Sequence, residues 1–552
     1  MSQLESQTLT GEELESQESK SGVKIDLALI AIIGLLLQAF WVSLLTQPTY
    51  MDAYYYTTNG QRLAEGHGFT ESVIWQFLDD PQGLPTPSHT YWMPLPSILA
   101  AAGYLVRDDF TGAQIFFWLL GGLLPILAYG IGRQLGAERW QGWVAAMLAA
   151  AGGYYAPYIS QPSTFAPFAW AGGLSLLAVG LARLPAGLTG KTRGLLKPGR
   201  LAYWLIAGVA AGLAHLTRAD GLLLFVVAVF FWIAYAWGGR EGRRQAGSSP
   251  LVQLALLLGG YLLVMAPWFI RNSQVTGGLL STAGTQSIFL TSYDDLFAYG
   301  RSIGPVPFFE WGWNNIIHSR LQGAAVGLQT LLAIPGLIFL GPFIFVGLVI
   351  LYRHRPARTL LQPLLLYTMI LLVSTVLLFT FPGMRGSLFH SSVALWPWTT
   401  ALAAAGIGFS VDWVAAHLSH WQPERAKRIF STIFIMVALL LTFFVAQFRL
   451  TPDRDPAVYH QIEERIGVGS IVMIGNAPAL YYYTGLAAVS VPNEPLPVLL
   501  QAADRYGVTY LVLDSDRPLP LDTLYHGELK EDRLHLLATF DDIQLYEIQP
   551  AP

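Results

Sequence analysis

Residues 24–56 read KIDLALIAIIGLLLQAFWVSLLTQPTYMDAYYY. A bilayer core of about 30 Å takes about 20 apolar residues in a helix. The run 24–46 meets that length and exceeds a signal-peptide core, so it reads as an uncleaved anchor. One acid, Asp52, and three tyrosines follow directly. The rest of the 552-residue chain matches this start, with 53% hydrophobic, 13% aromatic and only 12% charged residues. Soluble proteins carry about a quarter charged residues, so the solvent here is a membrane. The net charge of −4 comes with no long basic tract, which excludes a nucleic-acid partner. With no cysteine, the chain has neither disulfides nor thiolate metal sites. Residues 1–22, rich in Ser, Glu and Gln, read as a disordered cytoplasmic tail.

Eleven runs have span-like length: 24–46, 111–134, 140–159, 162–183, 201–217, 219–239, 251–271, 325–352, 360–381, 388–414 and 428–449. Basic residues settle the sides. They fall at Arg133 and Arg139; at Arg183, Lys191, Arg193, Lys197 and Arg200; at Arg240, Arg243 and Arg244; at Arg353, Arg355 and Arg358; and at Arg425, Lys427 and Arg428. Eleven spans place these five loops and the N-terminus together, in the cytoplasm of a multi-pass inner-membrane protein. A twelfth run, 93–106, would part the N-terminus from the basic loops. It reads as an interfacial helix on the outer face, with a short span as the alternative. The loop 47–110, the segment 272–324 and everything from 450 then lie outside. A transmembrane domain of 23–449 thus precedes an extracytoplasmic domain of 450–552.

That last region changes character. SIVMIGN (470–476) and VTYLVLDS (508–515) read as strands, and PLPVLLQAADRYG (495–507) reads as a helix ending at Gly507. LLATFDDIQLYEI (536–548) reads as a hairpin turning at Asp541-Asp542. Such alternation predicts a small α/β layer domain, for structure or acceptor docking.

Polar residues near lipid are costly unless they line a cavity or do chemistry. The outer ends gather many of them. Loop one carries Asp52, Tyr54, Tyr55, Glu71, Asp79, Asp80, His89 and Trp92, and later outer ends bring HLTRADG, PWFIRN and FPGMRGSLFHSS. Arg218, Arg271 and Arg385 run against the positive-inside trend. A shared anion accounts for all three, because the planar guanidinium binds phosphate oxygens two at a time. The alternative is an Arg snorkelling to headgroups or, for Arg218, pairing with Asp220. The tyrosines read equally as interface anchors or as faces for a sugar. The histidines stand apart, with no metal-ligand spacing, so no metal and no other cofactor is expected. A lone outer carboxylate beside an anion site suits one chemistry. Asp52 takes the proton of an acceptor hydroxyl as it attacks a lipid-phosphate-linked sugar, and positive groups stabilise the departing phosphate.

The order of short motifs resembles the GT-C membrane glycosyltransferases, in particular the family-39 type of the protein mannosyltransferases and the lipid A aminoarabinose transferase. They are YMDAYYY, YWMPLPS, GRQLG, TRADGLL, PWFIRN and RGSLFHS, followed by an outer domain, and the likeness runs from about 24 to 515. The resemblance implies a polytopic α-helical fold, a polyprenyl-phosphate-linked sugar donor and Asp52 as the catalytic base. One position departs from the family. Ala53 stands where many members have a second acid, whose task is dispensable or falls to Glu71, Asp79 or Asp80. Oligosaccharyltransferase relatives hold a divalent ion with several carboxylates, and the mannosyltransferases need none; the reading here is without metal.

The expectation is an inverting glycosyltransferase of about eleven spans, acting on a lipid, glycan or protein acceptor. Arg218, Arg271 and Arg385 are candidates for the donor phosphate. Tyr54, Tyr55, His89, Trp92 and His390 are candidates for sugar or acceptor, and Glu71, Asp79, Asp80 and Asp220 are secondary acids. The rivals are an oligosaccharyltransferase or polysaccharide ligase with a wider acceptor groove, a transporter, and a scaffold. No internal repeat supports a transporter.

Overall fold

The computed structural model describes residues 11–184, 199–237, 249–418, 420–467 and 469–550, with 11–21 and 200 as backbone alone. The basic positions 191, 193, 197, 240, 243 and 244, and residues 1–10 of the expected tail, lie outside them. The first helix, α1 (Gly11–Ser43), starts inside the stretch that composition assigned to a disordered tail.

Eight helices among the described residues are long and apolar enough to cross a membrane, and they match eight of the eleven expected runs. The other three are short or broken. The run 140–159 is helical only to Ala151 and then turns at Gly152 and Gly153. The run 201–217 forms a helix of 18 residues, Arg200–Thr217. The run 325–352 splits into Trp313–Ala333 and Gly341–Tyr352, because Pro335 and Gly336 end the first helix and Leu337 and Ile338 take positive φ. The run 93–106 gives a helix of 10 residues, Leu95–Tyr104. At 1.5 Å per residue it spans about 15 Å, half a bilayer core.

Loop one is more ordered than its composition suggests. It opens with α2 (Met51–Ala64), which lies against Leu95–Tyr104 so closely that a Cβ on Gly60 would collide with Ala100. Val73–Ile74 then forms strand β1. β1 pairs with the C-terminal region, which supplies β2 (Val472–Ile474), β3 (Ala488–Ser490), β4 (Tyr510–Leu513), β5 (Leu534–Phe540) and β6 (Ile543–Ile548). The six strands form one sheet in the order β1-β3-β2-β4-β6-β5. The first four are parallel and the last two antiparallel, with Asp541 at φ 51° in the hairpin turn. The expected strands, helix and hairpin are present, and the sheet draws on both sides of residue 450.

Ion pairs tie the outer segments to this sheet. Arg301 bridges Asp295 (3.0 Å) and Glu494 (2.5 Å), and Asp80 meets Arg505 at 2.7 Å. The main core lies among the helices, around fully buried Trp204, Trp396 and Trp398.

Candidate active site

Asp52 is the second residue of α2, after the extended Tyr50 (φ −153°). The free N–H groups of a first helical turn favour an anion there. Helical geometry also separates the three tyrosines. Successive side chains on α2 point about 100° apart at 3.6 residues per turn. Tyr56, one turn beyond Asp52, shares its cavity. Tyr54 faces the sheet side, its hydroxyl 2.9 Å from that of Tyr483. Tyr55 turns inward, where its hydroxyl accepts the His89 N–H at 2.7 Å and its ring packs on Trp92.

Two cavities meet at Asp52. The first, about 330 Å³, is walled largely by aromatic and aliphatic residues from the ends of the helices Arg200–Thr217, Leu222–Trp237, Pro250–Val275 and Arg355–Leu377. The second, about 1120 Å³, opens between the helix ends and the sheet. Asp52, Trp92, Tyr293, Arg385, Gly386 and His390 line both. Asp52 is half-buried, no side chain donates to its carboxylate among the described residues, and burial pushes its pKa up to about 6 against the opposing charge of Arg218.

The arginines separate by geometry. Arg218 ends its helix facing the first cavity, and its guanidinium is committed to Asp220 (3.0 and 3.2 Å), Ser387 Oγ (2.9 Å) and Ser391 Oγ (3.1 Å). Ser391 also donates to Asp220. The pairing alternative for Asp220 is therefore what the structure forms. Arg385 sits on a π-helical turn, Gly383–Ser387, that Gly386 permits by adopting φ 149°. Its guanidinium lies 5.4 Å from the Tyr293 ring and has no hydrogen bond or ion pair among the described residues. Arg271 lines neither cavity. It donates to the Ser88 carbonyl at 2.5 Å and lies 4.7 Å over Trp268. Of the three arginines expected at the phosphate, Arg271 is the one turned away from both cavities, its fork directed into loop one. Arg271→Ala should lower the midpoint of thermal unfolding in detergent, by loss of a charged hydrogen bond worth roughly 2 kcal/mol.

Several other candidates are held in contacts away from both cavities. His89, at φ 60°, is clasped between Ser88 Oγ (2.8 Å) and Ser97 Oγ (3.0 Å), and burial pushes its pKa down to about 3. Glu71 is buried under Tyr55 and Asn59, and burial pushes its carboxyl up to about 8. Asp79 accepts from Gln76, and Asp80 is the exposed partner of Arg505, which holds its carboxyl below the usual range. None of Tyr55, Glu71, Asp79, Asp80 and His89 lines either cavity. Trp92 stacks on Trp75 at 3.9 Å, and His390 Nδ1 lies 3.0 Å from Thr164 Oγ1, which leaves the other ring nitrogen for the cavity. Reading the sequence missed Tyr91 and Tyr293, and it weighed Tyr56 with its two neighbours without singling it out for the cavity. A helical reading of 51–64 would have found Tyr56.

Among the described residues no three His, Asp or Glu side chains form a metal-binding group. The first cavity holds two carboxylates, and Asp220 is taken by Arg218. This donor set does not fit a site built from several carboxylates, and no step below runs through an ion.

The chain superposes on ArnT from Cupriavidus metallidurans in the apo state with a TM-score of 0.55 at 13% identity, covering 96% of this chain and 98% of that one. The chain has the GT-C fold. The same ArnT bound to undecaprenyl phosphate gives a TM-score of 0.53 at 13% identity, with 94% and 97% covered. The archaeal oligosaccharyltransferase AglB from Archaeoglobus fulgidus, in complex with an inhibitory peptide and a dolichol-phosphate, gives 0.54 at 13% identity, with 91% and 70% covered. No family model and no curated protein matches the sequence. At such identities the likeness to these GT-C proteins is one of fold. Together with the eight membrane-length apolar helices it supports an integral, multi-pass membrane protein, and the site has to be argued from its own residues.

Proposed function

We propose that this GT-C chain is an inverting glycosyltransferase that uses a polyprenyl-phosphate-linked sugar. One observation carries the reading: Asp52 and Arg385, a carboxylate and a guanidinium that make no side-chain hydrogen bond or ion pair among the described residues, both stand where an apolar cavity meets a polar one. The first cavity suits a lipid-linked donor, with its phosphate at Arg385. The second suits an acceptor. The acceptor hydroxyl oxygen bonds to the anomeric carbon, and its proton goes to the Asp52 carboxylate. The bond from the anomeric carbon to the phosphate oxygen breaks, and its electron pair leaves on the polyprenyl phosphate. Arg385 meets that growing charge with donors already in place. Arg218 faces the same cavity and adds positive charge without contact. Trp92 and His390 border the meeting point and would hold the sugar.

In this reading the N-terminus is cytoplasmic, and the sheet and both cavities face outward. The absence of native cysteine allows a clean test. A single cysteine at Asp516 should react with a membrane-impermeant maleimide added to intact cells. Labelling only after lysis would reverse the topology.

Activity itself is tested by supplying radiolabelled polyprenyl-phosphate sugars to membranes containing the chain; no transfer from any of them would end the proposal. The pH dependence follows from Asp52. Burial favours the neutral acid, and a neutral acid takes no proton. kcat/KM should therefore be flat above about pH 7 and fall tenfold per pH unit below about 6. A profile centred near pH 4 would mean a solvated base in place of Asp52.

A further inference from the structure

The second cavity has a wall that the transfer chemistry does not use. β3, β2 and β4 are parallel, and the segments leaving their carboxyl ends, Val491–Asn493, Gly475–Asn476 and Asp514–Leu519, all line it. Open α/β sheets bind ligands beyond the carboxyl ends of their strands, where the connections diverge. Here β2 connects onward to β3 on one side, and β4 lies on its other side and connects onward to the antiparallel hairpin. The divergence thus falls between Asn476 and Asp514, over the cavity that contains Asp52. Arg454 braces this edge, pairing with Asp514 at 3.0 Å and Asp542 at 2.8 Å.

A sheet that only capped the helices would spend its polar groups on them. This edge does not. The side chains of Asn493 and Asp516 have no hydrogen-bond partner among the described residues, and neither do the facing phenols of Tyr154, Tyr158 and Tyr459. Aromatic residues make up nine of the 33 lining positions, more than a quarter, against 13% of the chain. Ring faces beside unspent amide, carboxylate and phenol groups are the complement of a polyol, which offers C–H faces to the rings and hydroxyls to the edges. A lipid tail would find few aliphatic walls. The volume of about 1120 Å³ exceeds the roughly 300–1,000 Å³ of ordinary small-ligand pockets.

We infer that the acceptor is a saccharide chain, and that the carboxyl edge of the C-terminal sheet binds its sugar rings while its terminal hydroxyl reaches Asp52. The inference rests on the transferase reading and adds the acceptor class to it. The bond changes are those given above, with the attacking oxygen a sugar hydroxyl.

The test uses full-length protein in its membranes with a radiolabelled polyprenyl-phosphate hexose. Labelled product is cleaved from lipid by mild acid and from protein by protease, and the saccharide carrying the label is sized. The expected product is label joined to at least two further sugar units. In the double variant Asn493→Ala/Asp516→Ala, the acceptor KM should rise about tenfold and the donor KM stay within twofold. Label recovered as a single sugar from a peptide or a lipid headgroup would overturn the inference and leave the transferase reading standing. So would an acceptor KM that the double variant does not move. Absence of any transfer by the wild type would bring down both readings.

Discussion

Asp52→Asn is expected to lose between about 10²- and 10⁴-fold in transfer rate, the range for removal of a positioned general base. The substitution keeps the size of the side chain and removes its ability to hold a proton. Because no side chain among the described residues donates to the Asp52 carboxylate, little folding energy is at stake, so the unfolding midpoint should move by no more than a few degrees. Asp80→Asn is the matched control, since Asp80 lies on the surface beside Arg505 and away from both cavities. It should transfer at the wild-type rate. If Asp52→Asn kept more than a tenth of the activity, the base would have to be sought elsewhere.

Arg385→Ala carries the second large effect. Removing one preorganised donor from a developing oxyanion costs about 10²- to 10³-fold, and the loss should appear in kcat, because the charge on the phosphate grows during reaction. Arg385→Lys should recover part of it, since an ammonium restores the charge and loses the fork. Arg218 behaves differently. Its guanidinium is spent on Asp220, Ser387 and Ser391, and truncation strands a carboxylate inside the protein. Arg218→Ala should therefore show first as lost folded protein. Equal kinetic losses with normal folding for both variants would mean that Arg218 shares the phosphate.

The contrast between these arginines marks what was legible in the sequence. Their unusual side of the membrane was visible from helix ends alone, and two of the three do face the Asp52 cavity. Which of them was free was not visible, because it depends on pairing across distant segments. Asp220 lies two residues from Arg218 and was foreseen as its partner. The Ser88 carbonyl that captures Arg271 comes from 183 residues away. The secondary acids of loop one, Glu71, Asp79 and Asp80, line neither cavity for a related reason. Glu71 and Asp79 follow Asp52 closely in sequence, yet the loop folds into α2, the paired segments Thr70–Glu71 and Thr86–Pro87, and β1, which buries Glu71 against Tyr55 and Asn59 and turns Asp79 to Gln76. Patterning of the C-terminal strands and helix was read correctly, since alternation and Gly507 are local signals. The edge strand β1 has two residues, too few to show any alternation. Apolar composition also hid a Pro-Gly break at 335–336, which divides the run 325–352 into two helices. Hydropathy registers apolar residues and passes over backbone geometry.

The central claim is direct displacement at the anomeric carbon, with Asp52 as base and polyprenyl phosphate as leaving group. Its stereochemistry tests it most directly. A donor labelled with ¹³C at the anomeric carbon should give a product of the opposite anomeric configuration, read from the one-bond C–H coupling. One equivalent of polyprenyl phosphate should be released per sugar transferred. A product of retained configuration would rule out a single back-side displacement, and would contradict the account.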